Sequence, residues 1–263
     1  MISLTVSDKL AVVTGGSSGL GEVFARKLAG RGYRLLLVAR REHRLAALRA
    51  SLGPDHEVMS ADLTKEEDVE ALARRLETSQ DLDLLVNNAG FGTKGQFWET
   101  DYGRQLEMHK LHVMATLRLT RAALPGMVKR NRGGVINVGS IASFFRSRGN
   151  VSYCATKGWM NDFTEALYLE LKGVRSAVKM QALCPGFTYT EFHDTLGVSR
   201  EGISKSLWMS ADAVVEESLR GLDKDKLYVI PGWQYKLLIA IGTRLPVRLR
   251  LAMQIASHIR GRM

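Results

Sequence analysis

The sequence predicts an α/β fold, with one doubly wound parallel sheet of about seven strands and helices on both faces. Three observations lead there. Short runs rich in Val, Leu and Ile alternate with segments of helical period from the start to about residue 185. The runs are continuously apolar rather than alternating, as strands covered on both faces are. The first run passes directly into a glycine-rich turn that opens a helix, and right-handed crossovers then wind such units into one sheet.

KLAVVT (9–14) reads as the first strand, and the turn after it leads into a helix through about Arg31. YRLLLVA (33–39) is the second strand, followed by a charged helix from Glu42 to about Leu52. HEVMSA (56–61), LDLLVNNAG (82–90), GVINVGS (134–140) and SAVKMQALCPG (176–186) repeat the theme, with helices between them. LYVIPG (227–232) is a candidate last strand. No linker or internal repeat breaks the chain, so a single domain is expected. In such a sheet ligands bind beyond the carboxyl ends of the strands, where the order reverses.

At 45% hydrophobic and 24% charged, the composition is that of a soluble globular protein with ample material for a core. Cys154 and Cys184 lie thirty residues apart and match no metal or redox spacing, which fits free thiols in a reducing compartment. No metal site is expected. MISLTVSDKL lacks a basic region ahead of an apolar run, so it does not read as a signal peptide. No apolar stretch approaches the roughly 18 residues of a membrane span. A cytoplasmic protein is the expectation.

The formal charge of +10 is unevenly placed. From Leu227 to Met263 there is no acid, but there are Lys236, Arg244, Arg248, Arg250, Arg260 and Arg262, six of the ten excess charges. No basic-aromatic module accompanies them, so nucleic acid is not an expected partner. A solvated basic helix and contact with an anionic membrane surface both remain open.

Thr14-Gly15-Gly16-Ser17-Ser18-Gly19-Leu20-Gly21 follows the first strand and starts the first helix. Glycines there let the backbone turn sharply and approach a pyrophosphate, and the helix N-terminus offers N–H groups to the anion. A tight turn in any βαβ unit would look similar; the position directly after the first strand strengthens the phosphate reading. The spacing is TGxxxGxG rather than the commoner GxGxxG.

That spacing resembles the short-chain dehydrogenase/reductase family. Asn87-Asn88-Ala89-Gly90 looks like its NNAG motif, Tyr153-Cys154-Ala155-Thr156-Lys157 like its YxxxK motif, and Cys184-Pro185-Gly186-Phe187-Thr188 like the segment that borders the nicotinamide. Ser140 ends the fifth strand, and the likeness is collinear over about 8–232. The resemblance implies a Rossmann-type fold and an NAD(P)-dependent enzyme acting on CH–OH or C=O groups. It makes residues 1–232 a dinucleotide-binding and catalytic domain, with a substrate lid at about 187–210 and a basic, apolar extension at 233–263. The catalytic set it implies is Ser140, Tyr153 and Lys157. Cofactor contacts are then expected in the turn from Gly15, Ser17, Ser18, Gly19, Leu20 and Gly21. Further ones are expected from Asp62 and Leu63, from Asn88, Ala89 and Gly90, and from Tyr153 and Lys157 themselves. Pro185, Gly186, Thr188 and Thr190 complete the set.

Tyr153 and Lys157 are four apart, hence on one helix face. A tyrosine near its ordinary pKa of about 10 exchanges protons poorly at neutrality, and a nearby ammonium favours the phenolate. A Tyr covering apolar surface beside a solvated Lys is the plain alternative; Ser140 and the turn weigh against it. One departure is visible: counting back from Leu124 puts His112 where the family usually has an Asn. A structural or relay role is expected of it, or a half-buried replacement with no catalytic part.

The second strand ends Ala39-Arg40-Arg41, with no acid to accept from a ribose 2′-hydroxyl. Arg40 offers a permanently charged fork suited to a 2′-phosphate, with Ser17 beside it, so NADP is expected over NAD. Asp62 is either the adenine partner or a helix cap. The apolar lid residues, Phe192, Leu196 and Trp208 among them, fit a substrate cover, and His193 reads as surface. The extension either packs over the pocket or a subunit, or lies in a membrane interface, which would favour a lipophilic substrate. Family habit points to a homodimer or homotetramer built on the helices at about 99–130 and 151–173. The expected activity is that of a carbonyl reductase or alcohol dehydrogenase. The alternatives are a dinucleotide sensor without turnover on the same fold, and an epimerase or dehydratase.

Overall fold

The computed structural model of the protein describes residues 9–192 and 203–260; His193 and Leu196 of the expected lid, like Arg262, lie outside the described residues. The apolar runs form the strands β1 (Leu10–Thr14), β2 (Arg34–Ala39), β3 (Glu57–Ser60), β4 (Leu82–Asn87), β5 (Gly134–Val138), β6 (Lys179–Leu183) and, after two short strands in the lid, β9 (Tyr228–Val229). They pair in the order β3-β2-β1-β4-β5-β6-β9, every pair parallel, giving the seven-stranded doubly wound sheet the sequence predicts.

Why the runs are continuously apolar is clear from β1, whose five residues are all buried. Side chains alternate across a strand. Leu10 and Val12 therefore pack into one core with α3 (Glu66–Glu77) and α5 (Thr116–Arg130), through Leu72 and Leu119. Ala11 and Val13 pack into the other with α1 (Gly19–Gly30) and α7 (Ala211–Asp223), through Phe24 and Leu219. At about 1.5–3 kcal/mol per buried large side chain, two such cores fix the strand ends rigidly. The order reverses between β1 and β4, and the cleft described below opens beyond their carboxyl ends.

The helix expected over about 99–130 is interrupted. It runs as α4 (Tyr102–His109), a π-helical segment (Lys110–Ala115) and α5, and His112 sits in the π turn. Such wide turns realign the side chains that follow and concentrate at functional sites. The helix at 151–173 is α6 (Val151–Gly173), continuous throughout.

One pairing has no counterpart in the sequence reading. β7 (Thr188–Tyr189) pairs in parallel with β8 (Met209–Ser210), joining the two ends of the lid. The extension begins with α8 (Trp233–Gly242), whose Tyr235 is only 2% exposed. The Tyr235 hydroxyl accepts from the Phe187 N–H at 3.0 Å and donates to the Leu207 carbonyl. Its ring lies against Gly186, where a Cβ would come within 2.1 Å of it. The first half of the extension is therefore bolted under the lid. α9 (Val247–Arg260) instead leaves Val247, Leu251 and Ile255 exposed. Among the described residues, no helix is long and apolar enough to cross a membrane.

Candidate active site

The glycine-rich turn is shaped by what surrounds it. Gly15 and Gly19 hold φ of +67° and +56°, a region that disfavours side chains. A Cβ on Gly21 would stand 2.1 Å from the Gly15 carbonyl oxygen. The Thr14 hydroxyl accepts from the N–H groups of Asn88 and Ala89, both at 3.0 Å, and donates to the Val86 carbonyl at 3.2 Å. The Asn88 amide returns bonds to the Thr14 and Gly15 carbonyls at 2.9 and 3.3 Å. Thr14 thus welds the turn to the NNAG segment, a role the motif alone does not announce.

Beyond the strand ends lies one cleft of about 800 Å³. Every sequence-proposed site residue lines it except Gly21, which is buried behind the turn. The donors fit an anionic dinucleotide. The turn presents a floor without side chains, the first N–H groups of α1 lack partners within the helix, and arginines stand at one end.

At that end the two arginines differ. Arg40 is exposed on the cleft edge, and its charge helps hold the Asp62 carboxyl low. Arg41, half-buried, donates to the Ser18 hydroxyl at 2.7 Å and the Ser17 hydroxyl at 3.2 Å, and meets Glu191 at 3.0 Å. Arg44, from α2 (Glu42–Leu52), also pairs with Glu191. The sequence singles out Arg40; which of two adjacent arginines turns onto the serines depends on the bend after β2. Asp62 accepts from the Thr64 N–H and hydroxyl at 3.1 and 2.8 Å, closing the turn ahead of α3 rather than capping the helix, whose N-cap is Lys65. Burial works to raise its pKa, but the Thr64 bonds and Arg40 leave it below the usual value.

At the other end Ser140 follows β5 and accepts from the Ala142 N–H at 3.1 Å. Tyr153 and Lys157 share one face of α6, with the ammonium 5.9 Å from the ring centre. Lys157 is 4% exposed; it donates to the Val138 carbonyl at 2.7 Å and lies 3.4 Å from the Met160 sulfur. Burial lowers its pKa to about 7. Burial likewise raises that of Tyr153 to about 12, against the pull of the Ser140 hydroxyl. Desolvation, rather than the ammonium effect that the spacing alone suggests, sets the direction of this shift.

His112 is fully buried, not half-buried. Its Nε2 accepts from the Phe91 N–H at 3.2 Å, so that nitrogen carries no proton. Nδ1 then holds the hydrogen and donates to the Thr156 hydroxyl at 2.9 Å, which donates on to the Tyr153 carbonyl at 3.1 Å. Burial, Lys157 and His109 all keep the ring neutral, with its pKa well below the ordinary value. Cys184 is buried on Asn161, and burial raises its thiol to about 12; Cys154 is buried as well. Among the described residues no group of three His, Cys, Asp or Glu could hold a metal.

Residues 9–200 match the short chain dehydrogenase family. The chain is 33% identical over 201 residues to the 3-oxoacyl-[acyl-carrier-protein] reductase of Bos taurus, covering 76% of this chain and 83% of that one. A solved short-chain dehydrogenase from Sphingobium yanoikuyae, in complex with NADPH, is similar with 30% identity and a TM-score of 0.81, covering 97% of this chain and 96% of that one. Another, from Burkholderia phymatum in complex with NAD, has 25% identity and a TM-score of 0.79, covering 89% and 92%. Both dinucleotides occur among the neighbours, so cofactor choice turns on this chain's own residues. With the fold, the glycine turn and the family match all in agreement, the chain belongs to the short-chain dehydrogenase/reductase family and is an NAD(P)-dependent oxidoreductase.

Proposed function

We propose that the protein is an NADP(H)-dependent carbonyl reductase or secondary-alcohol dehydrogenase, with Tyr153 as general acid/base. The observation that carries this reading is the opening of Ser140, Tyr153 and Lys157 onto the same cleft as the glycine turn and the paired arginines. A bound nicotinamide supplies the hydride donor or acceptor. The chain does the rest. Gly15 to Gly21 and the α1 N-terminus hold the pyrophosphate. Arg40 and Arg41 take the 2′-phosphate, Asp62 and Leu63 flank the adenine, and Asn88 to Gly90 with Pro185, Gly186, Thr188 and Thr190 seat the nicotinamide half. Ser140 hydrogen-bonds the substrate oxygen, Tyr153 delivers or takes the proton there, and the Lys157 ammonium favours the phenolate as it bonds the ribose. Ala39 in place of an acid, and the NADPH-bound neighbour, support NADP over NAD.

Steady-state reduction of a panel of ketones tests the role of Tyr153. Tyr153→Phe is expected to lower kcat by about 10²–10⁴ while NADPH binding persists. Unchanged kcat would remove Tyr153 from the mechanism. NADPH binding without turnover of any carbonyl by the wild type would favour a sensor. A cytoplasmic homo-oligomer completes the proposal, supported by exposed apolar residues on the outer faces of the long helices, Leu106, Leu117, Val151 and Leu169 among them.

A further inference from the structure

We infer that Gly242, in the first helix of the extension, sets the size of substrate the cleft accepts by letting the Phe145 ring lie back, and that the substrate carries a bulky apolar group beside its reacting carbonyl. This rests on the reading of Ser140, Tyr153 and Lys157 as the reacting end.

Hydrocarbon walls that end of the cleft. Phe192 lines it with its ring 5.8 Å from that of Tyr153. Ile141 and Phe145 follow Ser140 in one short turn and line it too, the Phe145 N–H donating to the Ile141 carbonyl at 3.2 Å. Phe145 thus belongs to the wall that carries the serine assigned to the substrate oxygen, away from the glycine turn and its phosphates. Its ring lies against α8. A Cβ on Gly242 would stand 2.4 and 2.6 Å from two of the outer ring carbons.

Gly242 is there for the ring. It is buried on the inner face of α8 with Tyr235 and Ile239. Its φ is not in the left-handed region, so the backbone does not call for a glycine, and a glycine weakens a helix relative to alanine. The helix itself is held fast. Tyr235 bonds Phe187 and Leu207, while Glu217 of α7 accepts from the Gly232 N–H at 3.3 Å and pairs with Lys236. A methyl at position 242 therefore displaces the ring rather than the helix. Ordinary contact begins at 3.4 Å, so from 2.4 Å the ring must yield by about 1 Å, and the space it can yield into is the cleft. Room kept clear by a glycine and lined by aromatic and branched side chains suits a ring or a branched chain on the substrate. Overfilling such a wall costs a large group far more than a small one.

The test measures kcat/KM with NADPH for butanone, isopropyl methyl ketone and cyclohexyl methyl ketone, which react alike and grow in bulk. The wild type is expected to favour the cyclohexyl ketone over butanone by about tenfold or more. In Gly242→Ala, with folding checked by thermal melting, that ratio is expected to fall by about tenfold, mainly through KM. Gly242→Ala/Phe145→Leu returns the space and is expected to restore the ratio, which a general loosening of the helix would not do. Phe145→Leu alone is expected to raise the relative use of the still larger dicyclohexyl ketone, a result independent of whether Gly242→Ala folds. A wild type that prefers butanone would overturn the inference. So would a ratio unchanged in Gly242→Ala, a double variant without rescue, or an unaltered size preference in Phe145→Leu. Should no ketone turn over, the reading of the catalytic set falls. Calorimetric titration of cyclohexyl methyl ketone and butanone then still decides the wall: tighter binding of the larger ketone that is lost in Gly242→Ala supports it, and equal binding overturns it.

Discussion

Lys157 is 4% exposed with its ammonium on one carbonyl, and an amine so placed gives up part of its charge to stay buried. The unfolded chain keeps the proton up to about pH 10.5, while the folded protein releases it above about 7. Between those values the unfolded state binds more protons, so this group makes stability rise with pH and weighs against folding most below pH 7. Tyr153 acts at the opposite edge. Its phenol is raised from 10 to about 12, so the stability it contributes is full below pH 10 and is lost as pH climbs through 12. Lys157→Met, similar in length and uncharged, is therefore expected to abolish turnover yet stabilise the protein at pH 7 by roughly 3 kcal/mol, net of the lost Val138 bond. Thermal melting at pH 7 and pH 10 checks it: the gain narrows at the higher pH, and a lower Tm at pH 7 would contradict the account. His112 illustrates the same rule. Pinned between Phe91 and Thr156 in one tautomer, it holds the loop after β4 against α6, and burial keeps its ring neutral.

The turn between β1 and α1 works because its parts cannot be filled. A Cβ on Gly21 would meet backbone, the Gly15 carbonyl oxygen at 2.1 Å, which cannot move without breaking the Asn88 bonds. Gly30, at the end of the same helix, has nothing within 4 Å. Gly21→Ala is expected to cost 3 kcal/mol or more and to destroy nucleotide binding, whereas Gly30→Ala raises stability by up to about 1 kcal/mol. Urea unfolding of the two variants separates them, and similar midpoints would sink this view of the turn. At this scale the sequence was informative where burial was two-sided. β1, β2 and β4 were readable because both faces of each strand are covered, so that the only polar residues in them are Thr14, Arg34, Asp83 and Asn87. β7 and β8, two residues each, offer no period at all. The π turn at Lys110–Ala115 was equally hidden, since KLHVMA reads as ordinary helix and the wide turn comes from tertiary packing. The cleft residues were legible through motifs tied to strand ends. Thr14, Arg41 and Tyr235 were not, because their roles depend on partners such as Ala89, Ser18 and Phe187, brought near by the fold.

For the whole molecule, the asymmetry of the extension is the main consequence. Its first helix is anchored under the lid by Tyr235, which ties the start of the extension to Phe187 and Leu207. Its outer surface carries Trp233 at 69% exposure and Ile255 at 61%, interspersed with Arg244, Arg248 and Arg250 and without a single acid. That pairing of apolar and cationic groups complements an anionic lipid interface. Sedimentation with phosphatidylserine vesicles is expected to pull the protein down at low salt and release it at high salt, and full retention in the supernatant at low salt would reject membrane contact. The central claim, an NADP(H) oxidoreductase working through this cleft, is most directly tested by fluorescence titration with NADPH and NADH of the wild type, Arg40→Ala, Arg41→Ala and Tyr153→Phe. The account predicts NADPH binding at least tenfold tighter than NADH, selectively weakened in the arginine variants and retained without turnover in Tyr153→Phe. Equal or tighter NADH binding, or arginine variants that hold NADPH as the wild type does, would contradict it.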